Sequence, residues 1–255
     1  MKNVRWALVA VAFVVTTVFA ADPPYIGKWK INQAKSNLAG STVTIASGAN
    51  GMMSFESQGF AYTFKTDGKE YPTPDGGTTV WKETSPTVWD VTNKLNGKVV
   101  SMIHLELKDD NLAVGVKVAK PDGGMMDYTA AYKRVSGGPG FQGKWVSTEV
   151  KMPMATLEIT ANGANGIAMK DDTGPIASGQ FDGKDNPALG VMAGSKNTVA
   201  FKKLGPSSFE VTSKLDGKPM NVDVYSVSAD GKTLTIDGTP TNAKAEKYRV
   251  VFDKQ

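Results

Sequence analysis

The chain has 255 residues, 40% of them apolar and 21% charged, an ordinary balance for a folded chain of one large domain or two small ones. The absence of cysteine and the presence of one histidine exclude disulfides, thiolate metal sites, a cysteine nucleophile and any chemistry needing two imidazoles. Basic side chains number 29 against 25 acidic and are scattered singly, so the clustered positive charge that nucleic acid demands is missing.

Lys2 and Arg5 precede an apolar run from Trp6 to Ala20, short of the roughly 20 residues a membrane-spanning helix needs. The segment 1–20 reads as a signal peptide. Val18 and Ala20 place small residues where a signal peptidase accepts them, and Asp22-Pro23-Pro24 then breaks any helix, so cleavage is predicted after Ala20. Losing Lys2 and Arg5 takes the formal charge from +4 to +2. No later stretch is apolar enough to span a membrane as a helix, and the expected location is periplasmic or secreted.

The remainder is a duplication. Gly27-Lys28-Trp29 returns as Gly143-Lys144-Trp145, a shift of 116. Gly48-Ala49-Asn50-Gly51 returns as Gly163-Ala164-Asn165-Gly166, and Asp67-Gly68-Lys69 as Asp182-Gly183-Lys184, both at 115. After a five-residue insertion in the second copy, Val91-Thr92-Asn93-Lys94-Leu95 returns as Val211-Thr212-Ser213-Lys214-Leu215, a shift of 120 that is expected to hold to the chain end. Ser136-Gly137-Gly138-Pro139-Gly140 has the composition of a flexible linker containing a turn. The predicted organisation is a first unit over 21–136, a Gly/Pro linker at 137–140 and a second unit over 141–255, each long enough for its own core.

Within each unit the hydrophobic period is two. Phe60, Tyr62 and Phe64 alternate with small or polar residues, as do Ser101, Ile103 and Leu105, and Val114, Val116 and Val118, which is the pattern of half-buried strands. Asn50-Gly51, Asp67-Gly68, Asn96-Gly97, Asp216-Gly217 and Asp230-Gly231 tolerate the positive φ of tight hairpin turns. Eight or nine short strands per unit, joined mostly by hairpins, predict an all-β antiparallel meander. One short helical turn is expected after Asn32, whose side chain can cap it.

A meander that opens with Gly-x-Trp resembles the calycins, the lipocalins and intracellular fatty-acid-binding proteins. Gly27-Lys28-Trp29-Lys30-Ile31-Asn32, Phe181-Asp182-Gly183-Lys184-Asp185 and Ser228-Ala229-Asp230-Gly231-Lys232 also look like a group of duplicated or single-copy secreted bacterial proteins, mostly uncharacterised. The resemblance implies two tandem up-and-down, lipocalin-like barrels. It further implies that Trp29 and Trp145 plug a barrel floor beneath a cation from the last strand, Arg134 for the first unit and Lys254 for the second. The Arg-x-Tyr that holds a carboxylate in fatty-acid-binding proteins is replaced by Ala130 with Tyr132 and by Val250 with Phe252, so no such anion anchor is expected.

No catalytic constellation is visible. His104 has no counterpart in the second copy, no Gly-x-Ser-x-Gly surrounds a serine, and Asp109-Asp110 and Asp171-Asp172 read as solvated turn residues. The expectation is a non-enzymatic protein without metal or cofactor, holding a small apolar ligand in a barrel. Candidate contacts are Phe60, Tyr62, Phe64, Met102, Tyr132 and Phe252. The pairs Met52-Met53 and Met125-Met126, and Met152 with Met154, offer adaptable apolar surface, one member of each adjacent pair facing inward. The competing reading is an envelope module with packed barrels that contacts protein or glycan through its outer surface; the sequence specifies no protein partner.

Overall fold

The computed structural model describes residues 22–152, 155–241 and 246–255. The expected signal segment and Met154 lie outside them. Twenty strands follow in chain order: β1 (Gly27–Ile31), β2 (Thr42–Ser47), β3 (Met53–Ser57), β4 (Phe60–Phe64), β5 (Asp67–Pro72), β6 (Thr78–Ser85), β7 (Val88–Leu95), β8 (Lys98–Lys108), β9 (Asn111–Ala119), β10 (Met125–Ser136), β11 (Gly143–Lys151), β12 (Thr156–Ala161), β13 (Gly166–Asp171), β14 (Gly174–Gln180), β15 (Asp185–Pro187), β16 (Asn197–Gly205), β17 (Ser208–Leu215), β18 (Lys218–Val227), β19 (Thr233–Pro240) and β20 (Tyr248–Lys254). They form two antiparallel, nearly closed ten-stranded sheets, one or two strands more per sheet than the turn spacing suggests. Among the described residues no helix is long and apolar enough to cross a membrane.

The first sheet runs β4-β3-β2-β11-β10-β9-β8-β7-β6-β5 and the second β14-β13-β12-β1-β20-β19-β18-β17-β16-β15. The opening strands of the two repeats are therefore exchanged. Trp145 of β11 lies opposite Val43 and Arg134 in the first barrel, whereas Trp29 of β1 lies opposite Leu157 and Lys254 in the second. The cut at 137–140 does not separate the sheets: that segment is the loop of the β10–β11 hairpin, inside the first barrel. The chain passes between barrels from β1 to β2 and again from β11 to β12, and Gln33 Nε2 donates to the Met152 carbonyl at 2.6 Å.

The exchange has a local cause. The two opening strands share their Gly-Lys-Trp start, so each can place its tryptophan in either barrel, and β11 follows β10 directly through a short loop. Arg134 holds that loop closed by donating to the carbonyls of Gly138 at 2.7 Å and Gly140 at 2.6 Å, and to that of Gln142, while its Nε reaches Asp110 at 2.9 Å. What composition marks as a flexible linker is thus a pinned hairpin loop. Gly143 has φ +149°, and a Cβ there would stand 2.5 Å from the Ser136 carbonyl oxygen and 3.3 Å from Arg134 Nη1, so glycine is required where the strand passes the Ser136 carbonyl.

Turn chemistry is partly as the dipeptides predict. Asn96-Gly97 and Asp216-Gly217 have positive φ at both residues, the hairpin geometry that suits strand twist. Asp67-Gly68 instead starts β5 beside an irregularity in its pairing with β6. Asn32 caps a single 3-10 turn at Gln33–Lys35, accepting from Lys35 N at 3.1 Å. The repeat shift of 120 fails in β19. Ile103 pairs with Val116 and Asp223 with Gly238, so β19 aligns at 122 (238 − 116).

Candidate functional site

Each barrel is closed at one end by aromatic rings. The indole N–H of Trp145 donates to the Phe141 carbonyl and that of Trp29 to the Tyr25 carbonyl, both at 3.0 Å and both four residues back. Over the rings lie the cations: Arg134 Cζ is 4.3 Å from the Trp145 centroid and Lys254 Nζ 5.1 Å from that of Trp29, within reach of a cation–π attraction. In the first barrel Trp89 stacks on Phe141 at 4.2 Å and Phe64 on Trp81 at 4.0 Å.

Beyond this aromatic floor the first barrel encloses a cavity of about 360 Å³. Its walls are apolar, from Val43, Ile45, Phe55, Ile103, Leu105, Val114 and Val116, and its polar groups, among them Thr73, Asp75, Asn93 and Lys94, come from loops and strand ends. Lys94 pairs with Glu70 at 2.6 Å and Asp75 accepts from Thr73 at 2.6 Å. Thr79 Oγ1 and Trp81 Nε1 are buried without a hydrogen-bond partner. Tyr62 stands beside both, and burial pushes its hydroxyl up to about 12.

The candidates named from sequence fall into three groups. Phe60, Tyr62 and Tyr132 line this cavity. Phe252 lines a cavity of about 290 Å³ in the second barrel. Phe64 is fully buried in the floor beneath Trp81. Met102 is placed outside: strand alternation turns Ser101, Ile103 and Leu105 inward, leaving Met102 39% exposed. His104 shares that outer face and bonds Asp90 through Nδ1 at 2.8 Å, which together with the Thr84 hydroxyl holds the Asp90 carboxyl below its usual range. Of the methionines, Met126 and Met152 reach the second cavity.

Two features escape sequence reading. The five-residue insertion falls in the loop between β15 and β16, and this loop crosses to the first barrel. Met192 there lines the first cavity, Lys196 N donates to the Asp75 carbonyl at 2.8 Å, and Asn96 Nδ2 donates to the Ala193 carbonyl at 3.3 Å. An insertion unmatched in the first copy was its only signal. The second feature is Asp223, 9% exposed on an inward position of β18. The Tyr248 hydroxyl donates to it at 2.6 Å and accepts from Asn221 Nδ2 at 2.7 Å. Burial raises the Asp223 carboxyl above its ordinary value, against the lowering effect of those two partners.

Comparison with protein-family models finds no match to this chain, and comparison with curated proteins finds no similar sequence. The site is therefore read from its own geometry.

Proposed function

We propose that this is an exported, non-enzymatic carrier or sequestering protein that holds a small apolar or amphipathic molecule in the lumen of its first barrel. The observation that carries this reading is the cavity of about 360 Å³ inside the first barrel, within the size range of small-molecule sites, with apolar walls and a few polar groups near one end. Well-packed interiors leave few voids larger than a water molecule, so a cavity of this size is a feature of function more than of stability. The likeness of two up-and-down barrels with tryptophan floors to the calycins supports the same reading, and the apolar segment 6–20 behind Lys2 and Arg5 supports export.

Native mass spectrometry of the protein purified from its own source, followed by extraction of bound small molecules, tests the proposal. A stoichiometric apolar ligand is expected. Ala130 is buried and lines the cavity, so Ala130→Trp should fill the lumen and abolish both that ligand and the binding of a fluorescent apolar probe. A wild-type protein that arrives empty and binds no such probe would overturn the reading.

A further inference from the structure

In the second barrel, three directly paired positions on adjacent strands build an arrangement that the first barrel lacks. Asp223 of β18 faces Gly238 of β19, and Gly238 faces Tyr248 of β20. The Tyr248 ring lies flat across Gly238, where a Cβ would stand 2.1 Å from Tyr248 Cζ, and this carries the hydroxyl over to Asp223. The matching residues of the first barrel are Ile103, Val116 and Tyr128. Val116 blocks that path, and Ile103 offers nothing at its end.

The cavity beside this group measures about 290 Å³ and is lined by Tyr225, Tyr248, Phe252, Leu157 and Met126, with Asp223 among them and Asp171 and Asp172. Its lining includes no lysine, arginine or histidine among the described residues. Asp171 and Asp172 are engaged by Thr173 and Thr156, respectively. Asn221 Oδ1 is buried with no donor. Its orientation is fixed by its own Nδ2, which the Tyr248 hydroxyl accepts while donating to Asp223. The Asp223 carboxyl, 9% exposed, thus faces a mostly apolar chamber with aromatic walls and no basic side chain in its described lining, while Asn221 buttresses it through Tyr248 from outside that lining. Uncompensated, such a carboxylate is costly to bury.

We propose that the second barrel's lumen is a binding site for an organic ammonium ion carrying an apolar tail, whose N–H groups donate to Asp223. An ammonium group supplies hydrogen-bond donors and the positive charge that the lining lacks, and the aromatic rings of Tyr225, Tyr248 and Phe252 suit a cation. The tail lies along Leu157 and Met126. This site is independent of the first barrel's lumen and stands or falls without it.

Isothermal titration of the full chain with n-octylamine, octan-1-ol and octanoate tests the proposal. The amine is expected to bind at least about tenfold more tightly than the alcohol, the value of one charge-assisted hydrogen bond, and octanoate to show no binding here. Asp223→Asn keeps the shape and the bond from Tyr248, and should remove that preference. The same titrations in the Ala130→Trp background, with the first lumen filled, should show the amine preference undiminished. Equal binding of amine and alcohol by the wild-type chain, which requires no variant to fold, would overturn the site, as would an Asp223→Asn protein that keeps the preference.

Discussion

Lys254, on the last strand of the second repeat, lies over the ring of Trp29, on the first strand of the first repeat, with its Nζ 5.1 Å from the ring centroid. The two ends of the folded chain are thus joined inside one barrel. Trp29 is fully buried among Leu157, Phe209 and Leu234, all of the second repeat, while Trp145 is fully buried in the first barrel beside Trp89 and Phe141. The exchange changes what each part of the chain can do alone.

Fragments should respect the sheets and not the repeats. A fragment over 40–152 contains all ten strands of the first barrel and is expected to fold cooperatively. One over 155–255 lacks its β1 and should be unstable until a synthetic peptide over 22–36 is added. Circular dichroism melts of the second fragment with and without peptide check this; a fragment equally stable in both conditions would refute it.

Trp29→Ala should weaken the barrel built from the other repeat. The expected loss is about 3–5 kcal/mol, the range for emptying a large buried aromatic site. Amide hydrogen exchange should show protection falling in β17–β19 and not in β7–β9, with Trp145→Ala giving the converse. Loss confined to the repeat that carries the mutation would contradict the strand exchange.

Gly238→Val should expel the Tyr248 ring and cost about 1–3 kcal/mol through overpacking. Because the clash requires the ring, the double variant Gly238→Val/Tyr248→Ala should be less destabilised than the sum of its parts. Strict additivity in urea unfolding would mean the ring does not lie across Gly238.

Asp223 gives the second barrel a distinctive dependence on pH. Its folded-state carboxyl is raised above the ordinary value of 3.8, chiefly by desolvation. The folded state therefore holds the proton more tightly than the unfolded chain. The stability from this group is fully present below about pH 3.8 and is lost as pH rises through the folded value. Relative to wild type, Asp223→Asn should grow more stable across that window, and thermal melts of both proteins from pH 3 upward measure the difference. A difference that does not change with pH would refute the buried carboxyl.

Met192 should govern access to the first lumen if the carrier reading holds. Met192→Ala removes the part of the second repeat's loop that lines the cavity and is expected to speed dissociation of an apolar fluorescent probe with little change in melting temperature. Stopped-flow displacement measures the rate, and an unchanged rate would remove the loop from the path of the ligand.

Alternation at period two, the Asn-Gly and Asp-Gly turns and the repeated Gly-Lys-Trp were enough to read from sequence a duplicated all-β antiparallel meander; the barrel and its tryptophan floors came from the resemblance to calycins. The signals of the meander are local or internally matched, because side-chain alternation and positive-φ turns are set by residues close together in the chain. Tyr62 could be named as inward-facing for the same reason and Tyr132 from its place in the resemblance's Arg-x-Tyr, whereas Met102 could not be assigned correctly because a one-residue change of phase reverses the face. The exchange of β1 and β11 was not legible. Two strands that both open with Gly-Lys-Trp can serve either sheet, and the choice falls to loop length and to Arg134 closing the β10–β11 hairpin. Nor was the Asp223–Gly238–Tyr248 line legible, since its members are adjacent only across three paired strands whose register is decided by the whole barrel. Composition and periodicity determined what kind of sheet this chain makes; which strand closes which barrel was decided by the β10–β11 loop and by pairing between segments more than 200 residues apart, as Trp29 is from Lys254, and which carboxylate is buried by the register of β18, β19 and β20.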